Sequence, residues 1–285
     1  LSDLPDFELR RSPVEPGLPP PPPPPETRGA GLWIVVALLI AAAAVAAYIA
    51  FGWRQTPVPA KTAAAALPAA STASPPLGGK VDPVTLPPLD SSDTLVRTLV
   101  QALTESRAVM AWLPTNGLIR NFTVVVANIA EGATPAKQLK VLRPSGPFRV
   151  LSGDGIMTTD PRSFDRYGAI ADAIASVDPA GAAKLYATLK PRIEEAHRDL
   201  GSADSFDHTL ERAIIALLST PAVDGSERLK PKGIGYGYAD DRLESLTPAQ
   251  KQLLRMGPRN VRVIKAKLRD IAVALGIPPA HLPAP

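Results

Sequence analysis

Asn116–Ala130 reads N-G-L-I-R-N-F-T-V-V-V-A-N-I-A. Its apolar residues Leu118, Ile119, Phe122, Val125, Val126 and Ile129 recur at steps of three and four, the period of one helix face. The β-branched run Thr123–Val126 would also suit a strand. Length decides between the two, because strands usually run about 3–10 residues and this segment is longer. The stretch is therefore read as a buried helix, and the domain around it as mostly α.

Working outward, Asp90-Ser91-Ser92-Asp93 supplies cap residues for a helix carrying Leu95, Val96, Leu99, Val100 and Leu103. Ser106–Leu113 predicts a short second helix stopped by Pro114. Beyond Gly132 the character changes. Pro135, Pro144 and Pro147 break the chain, and Phe148–Thr159 with Ser-Gly-Asp-Gly at its centre predicts a β-hairpin. Helices resume at Asp160-Pro161, with Phe164, Tyr167, Ile170, Ala171, Ile174 and Val177 on one face. Asp178-Pro179 caps the next helix, which Pro191 is expected to kink. Asp204 or Ser205 opens another, ended by Pro221. Glu227–Ala239 is extended and glycine-rich. Thr247-Pro248 starts a helix to Met256, Gly257-Pro258 breaks it, and a last helix runs to Leu275. The expected architecture is a single helical domain over 90–278 with one small β-hairpin, and a disordered C-terminus over 279–285.

Before this domain stands Leu32–Phe51, twenty residues without a charge. A helix of that length spans roughly 30 Å, the thickness of a bilayer's hydrocarbon core. Its Leu, Ile, Val and Phe residues supply about −3 to −6 kcal/mol for insertion. Leu32, Trp33, Tyr48 and Phe51 lie near its two ends, where interfacial aromatics belong. A single transmembrane helix over 32–53 is expected, uncleaved, since the acidic, proline-rich leader is unlike a signal peptide. Flanking charges are balanced, with Arg28 on one side and Arg54 and Lys61 on the other. A short tail before a long domain favours a plasma (inner) membrane protein with its N-terminus cytoplasmic and its C-terminal domain periplasmic. Ala42, Ala46 and Ala50 form a small-residue ladder that could pack two anchors together.

The tail, 1–31, is expected to be disordered, with the seven prolines Pro19–Pro25 as a polyproline II rod. It serves as a spacer or as a docking site for a proline-binding module. Residues 54–89, rich in Pro, Ala and Ser, are expected to be a linker. As a coil its ends lie about 30–35 Å apart.

The chain has 31 Lys+Arg against 27 Asp+Glu, a net charge of +4 that does not mark a nucleic-acid binder. Without cysteine it has no thiol nucleophile, thiolate zinc site or cysteine-held iron–sulfur cluster. Glu194-Glu-Ala-His197 places a carboxylate and an imidazole on one helical face, and His208-Thr-Leu-Glu211 repeats the pair in reverse. Glu194, His197, His208 and Glu211 are thus candidates for a metal or acid–base site, against the alternative of charged solvent faces beside a loop. Gly233-Ile-Gly-Tyr-Gly-Tyr238 lacks the spacing of a dinucleotide fingerprint and reads as a strand. Lys251, Arg255, Arg259, Arg262, Lys265 and Arg269, with Lys267, make the last helices basic. They are candidates for an anionic-partner surface, against the alternative of a solvated face neutralised by nearby acids.

Several segments together resemble a known proteobacterial family. They are Leu86-Pro-Pro-Leu-Asp90, Trp112-Leu113, Leu118-Ile-Arg120 with Phe122, Gly146-Pro-Phe148, Pro248-Ala-Gln-Lys-Gln-Leu-Leu-Arg-Met-Gly-Pro-Arg-Asn260 and Ile264-Lys-Ala-Lys267. The chain from Leu86 to Leu275 is similar to the domain of unknown function family number 3014. The resemblance implies a membrane anchor before a soluble domain, and it assigns no activity, cofactor or catalytic residue.

Three functional readings follow. The first is a non-enzymatic, membrane-anchored envelope protein that binds another protein or an anionic envelope polymer, with no cofactor and with nucleic acid an unlikely partner. The second is a hydrolase or metal-dependent enzyme using the Glu/His cluster. The third is a cytoplasmic-facing domain that meets an anionic partner through its basic C-terminal helices.

Overall fold

A computed structural model describes residues 76–81, 84–101, 104, 106–135, 137–140 and 143–284. The expected transmembrane helix, with Leu32, Trp33, Tyr48 and Phe51, lies outside the described residues, as do the proline-rich tail and the first part of the linker. Among the described residues no helix is long and apolar enough to cross a membrane.

The helices in chain order are α1 (Asp93–Gln101), α2 (Arg107–Trp112), α3 (Leu118–Ala130), α4 (Arg162–Asp165), α5 (Gly168–Ala175), α6 (Pro179–Asp199), α7 (Phe206–Leu218), α8 (Asp241–Glu244), α9 (Pro248–Leu254) and α10 (Pro258–Leu275). Strands β1 (Val150–Gly153) and β2 (Ile156–Thr159) lie between α3 and α4, and β3 (Arg228–Lys232) and β4 (Gly235–Tyr238) between α7 and α8. The domain is mostly helical, as its periodicity predicts.

Asn116–Ala130 does form a helix from Leu118 onward, and α3 buries Leu118, Ile119, Phe122, Thr123, Val125, Val126 and Ile129. Thr123 is accommodated because its hydroxyl donates to the Ile119 carbonyl one turn back (2.9 Å). The start of α3 is held from a distance. Asp93 on α1 accepts from the backbone N–H groups of Gly117 (2.7 Å) and Leu118 (2.8 Å), which have no partner within the helix. Helices α3, α6 and α7 pack together, and α10 packs on α5, α6 and α7. Phe206 fixes their meeting point, with its ring 5.6 Å from Phe122, 6.2 Å from Tyr186 and 5.3 Å from His197.

The expected single helix after Asp160-Pro161 is two, α4 and α5, because the Arg166 side chain takes the Ser163 carbonyl (3.0 Å) at the break. Helix α6 continues through Pro191. Between α9 and α10 the chain turns at Gly257, φ +90°, whose Cα lies against Phe164. A Cβ there would stand 2.4 Å from a ring carbon, so only glycine fits the corner. Asn260 closes it, donating to the carbonyls of Met256 (2.8 Å) and Phe164 (3.1 Å).

Three expectations are corrected. The β element is not one hairpin but a four-stranded antiparallel sheet in the order β1-β2-β3-β4. Its middle pairing, Met157↔Leu229 and Thr158↔Arg228, joins two hairpins about seventy residues apart in sequence. The residues before 90 are not all free linker. Leu77 is buried, its N–H donates to Asp207 (3.1 Å), and the Gly78 N–H donates to the Leu275 carbonyl (2.8 Å). The C-terminus docks as well. Pro279–His281 forms a 3-10 turn, Leu282 is buried, and Arg269 donates to the Pro283 carbonyl (2.5 Å).

Candidate interaction surface

The four acid–base candidates have separate roles. Glu194 accepts the backbone N–H of Phe206 (3.0 Å) and so caps the start of α7. His197 is buried against Phe206, with Nε2 3.4 Å from the Thr209 hydroxyl. His208 is exposed. Glu211 binds His281 Nδ1 (2.6 Å) and so holds the C-terminal turn. Among the described residues no three His, Asp or Glu side chains converge as metal ligands.

The nearest thing to an active-site constellation is one the sequence reading missed. Asp207 accepts from the Tyr186 hydroxyl (2.5 Å), forms an ion pair with Lys190, and accepts from the Leu77 N–H. Burial, then the bonded Asp207 carboxylate, push the Tyr186 phenol upward, so it is a fixed donor and not a base. Leu77 lies over the group.

The basic helices are largely engaged internally. Lys265 Nζ donates to the Thr220 carbonyl (2.6 Å) and Lys267 Nζ to the Val177 carbonyl (2.8 Å). Both acceptors lie just past the C-terminal ends of α7 and α5, where the helix dipole favours a cation. Burial lowers the Lys265 pKa. Arg259 pairs with Asp172 (3.0 Å), Lys251 reaches Glu244, and Arg255 bonds the Tyr236 carbonyl (3.4 Å). Arg262 is exposed on α10 with no bonded partner among the described residues. The structure thus scatters these cations over several packing contacts.

The sheet has a different character. Its helix-facing side carries Val150, Met157, Leu229 and Tyr238, which pack with Leu243 and Leu254 into a small core of their own. The cross-strand register puts Leu151, Ile156 and Thr158 on the opposite side, beside Arg228, Lys230 and Lys232. Both hairpin tips point to the same end, where Ile234 is 73% exposed. Five large apolar side chains on or beside the sheet are exposed: Leu151 and Ile156 on this outer side, Ile234 at the tip, and Tyr236, on the helix-facing side by register, with the Phe148 ring 6.1 Å from it. The only others among the described residues, Val84, Leu200 and Val273, lie outside the sheet.

The two edges of the sheet are treated differently. On β4 the outward N–H of Tyr238 donates to Glu244 (2.9 Å) and the outward carbonyl of Tyr236 accepts from Arg255. Lys232, bonded at 2.5 Å, and the Tyr238 N–H hold the Glu244 carboxyl down at about 2, so it is an ionised acceptor at neutral pH. On β1, Arg149 faces β2, since its carbonyl accepts from Asp160 (3.0 Å). By alternation Val150 and Ser152 face outward. Among the described residues nothing bonds their backbone groups.

The model of the family described as "Protein of unknown function (DUF3014)" matches residues 118–272. The chain belongs to this family. No curated protein and no solved structure matches it. The DUF3014 match runs from the start of α3 into the last turn of α10 and takes in the whole sheet. It leaves out Leu86-Pro-Pro-Leu-Asp90 and Trp112-Leu113, which the resemblance also drew on. The segment that carried that resemblance best, Gln250-Lys-Gln-Leu-Leu-Arg-Met-Gly-Pro258, runs through α9 into the α9–α10 corner of the DUF3014 domain, which Arg259 and Asn260 complete. Met256 is fully buried, Gly257 abuts Phe164, Arg259 pairs with Asp172 and Asn260 bonds two carbonyls. The motif is thus explained by packing.

Proposed function

We propose that this domain is a non-enzymatic interaction module that contacts a protein partner through its four-stranded sheet. In this reading it is held at the inner membrane by a single-pass anchor at 32–53, with the domain in the periplasm. The exposed apolar side chains of Leu151 and Ile156 on the outer side of the sheet and of Ile234 at its tip carry the reading, because monomeric surfaces rarely gather such residues without a binding role. The charge-free run Leu32–Phe51 supports the anchor. The basic C-terminal helices give less support to an anionic partner, since Lys265, Lys267 and Arg269 are bonded to backbone carbonyls of this chain. The separate roles of Glu194, His197 and Glu211 likewise weigh against a Glu/His catalytic site.

The test is a photo-crosslinking side chain at Ile234 in the membrane-bound full chain, with Leu200 as an exposed apolar control away from the sheet. A discrete product at 234 and none at 200 is the expected result. Equal labelling at both sites would refute the reading. A reporter fused after Pro285 tests the topology independently, and activity on the cytoplasmic side alone would overturn the periplasmic placement.

A further inference from the structure

We infer that β1 pairs with β1 of a second copy of this chain, joining two four-stranded sheets across a two-fold axis at Leu151. The inference rests on the sheet being a contact surface, and it names a second copy as the occupant of its β1 edge.

The argument begins with the unequal edges. An unpaired strand edge presents a row of backbone donors and acceptors, and proteins commonly cover it. Here β4 is covered by Glu244 and Arg255. The outward groups of Val150 and Ser152 on β1 have no such cover among the described residues. Leu151, between them, is 48% exposed.

Register then selects the partner. Two antiparallel strands in one continuous sheet place side chains of the same face opposite each other. For β1 against itself, the register that brings Leu151 opposite the partner's Leu151 also brings Val150 opposite the partner's Ser152. Val150 and Ser152 are the outward-facing residues, so on each side of the axis the two exchange a mutual pair of N–H···O bonds. The two Leu151 side chains meet in the closer, non-hydrogen-bonded position, with Cα atoms about 4.5 Å apart. In the same register Arg149 falls opposite the partner's Gly153, next to the partner's Asp154. Neither Arg149 nor Asp154 has a side-chain hydrogen bond or ion pair among the described residues. Charge, apolar contact and backbone pairing thus agree in one register, and each is self-complementary under a two-fold axis. So short an edge buries less than a standard interface. Confinement of two anchored copies to one membrane would raise their effective concentration and favour the pairing.

The chain has no cysteine, which makes the test direct. Leu151→Cys is introduced into the full chain in membranes, with Ile234→Cys as a more exposed control, and both are treated with a mild oxidant. The proposed Cα separation lies within the roughly 4.4–6.8 Å that a disulfide spans. The expected result is a disulfide-linked dimer at position 151 with a yield about tenfold above that at position 234, as juxtaposed sites require. Leu151→Lys, which sets two ammonium groups face to face, should lower the dimer fraction of the cysteine-free chain in nanodiscs. Because Leu151 is exposed, neither variant should disturb folding, and circular dichroism checks this. Equal yields at 151 and 234, or an unchanged dimer fraction in Leu151→Lys, would overturn the inference. If 151 fails to crosslink with itself while Ile234 captures a different protein, self-pairing is refuted and the interaction reading stands. If neither site is labelled, both fall.

Discussion

The ammonium of Lys267 donates a 2.8 Å hydrogen bond to the carbonyl oxygen of Val177, ninety residues earlier in the chain. Two residues before it, Lys265 makes the same kind of bond to Thr220. Helix α10 therefore uses adjacent lysines to close the C-terminal ends of two other helices, α5 and α7. Hydrogen bonds to charged groups contribute about 1.5–3 kcal/mol. Lys267→Met and Lys265→Met should each destabilise the domain by roughly 1–2 kcal/mol, since the stems stay packed while the bonds are lost. The two losses should add to within about 0.5 kcal/mol, because the acceptors are separate. Urea unfolding of both single variants and the double variant measures this, and a small loss would show that these cations contribute little to packing.

Asp93 holds the start of α3 from α1. Asp93→Ala leaves the N–H groups of Gly117 and Leu118 without this acceptor and should cost about 1–3 kcal/mol. Asp93→Asn, which keeps an acceptor oxygen, should cost less. The order Ala worse than Asn in chemical denaturation is the outcome to check, and the reverse order would argue against capping.

Glu244 gives a pH dependence. Its folded pKa of about 2 lies below the ordinary value of 4.5, because Lys232 and the Tyr238 N–H favour the carboxylate. A depressed carboxyl contributes stability that is full above about pH 4.5 and is lost as pH falls toward 2. Glu244→Gln should remove that dependence. The stability gap between native chain and variant should therefore shrink from pH 5 to pH 2, as followed by denaturant midpoints. A constant gap would contradict the assignment.

Gly257 and Phe164 are sterically coupled. Gly257→Ala brings a methyl within 2.4 Å of the Phe164 ring at a positive φ and should cost about 2–4 kcal/mol. Phe164→Ala, which removes Cγ and Cδ1 but keeps the Cβ that would stand 2.6 Å away, should relieve part of the clash while leaving roughly 1 kcal/mol of backbone strain. A double-mutant cycle read by thermal melts should show coupling of about 1 kcal/mol or more, whereas strict additivity would mean that φ alone is responsible.

Gly78 seats the segment before the domain against α6. A Cβ there would lie 2.7 Å from the Ala183 carbonyl and 2.9 Å from the Ala187 methyl, at φ +85°. Gly78→Ala should lift Leu77 from Asp207 without unfolding the helices. Limited proteolysis should then cut within 76–81 several-fold faster while the core persists, in line with local opening. Unchanged cutting would show that the segment is held by other contacts.

Much of the helical layout was legible because it depends on local spacing. Leu118 through Ile129 repeat with the helical period, Asp178-Pro179 and Thr247-Pro248 mark starts, and Gly257-Pro258 marks a break. The Glu/His reading shows where local spacing stops being informative. Glu194 and His197 share a helix face, yet α7 takes one as its cap and its Phe206 ring covers the other. The charge of Lys265 and Lys267 was equally visible, but the carbonyls that receive them lie 45 and 90 residues away.

The sequence by itself determined the helical class, one hairpin and a separate extended segment, the absence of thiol chemistry and the charge-free run at 32–51. Each follows from composition or from a period of a few residues. Only the tertiary structure decided that β2 and β3 pair into one sheet, that Asp93 caps a distant helix, that most cations of the basic helix bond within the chain, and that β4 is covered while β1, among the described residues, is left open. These depend on contacts between residues far apart in the chain, where long-range packing and not local propensity sets the free energy.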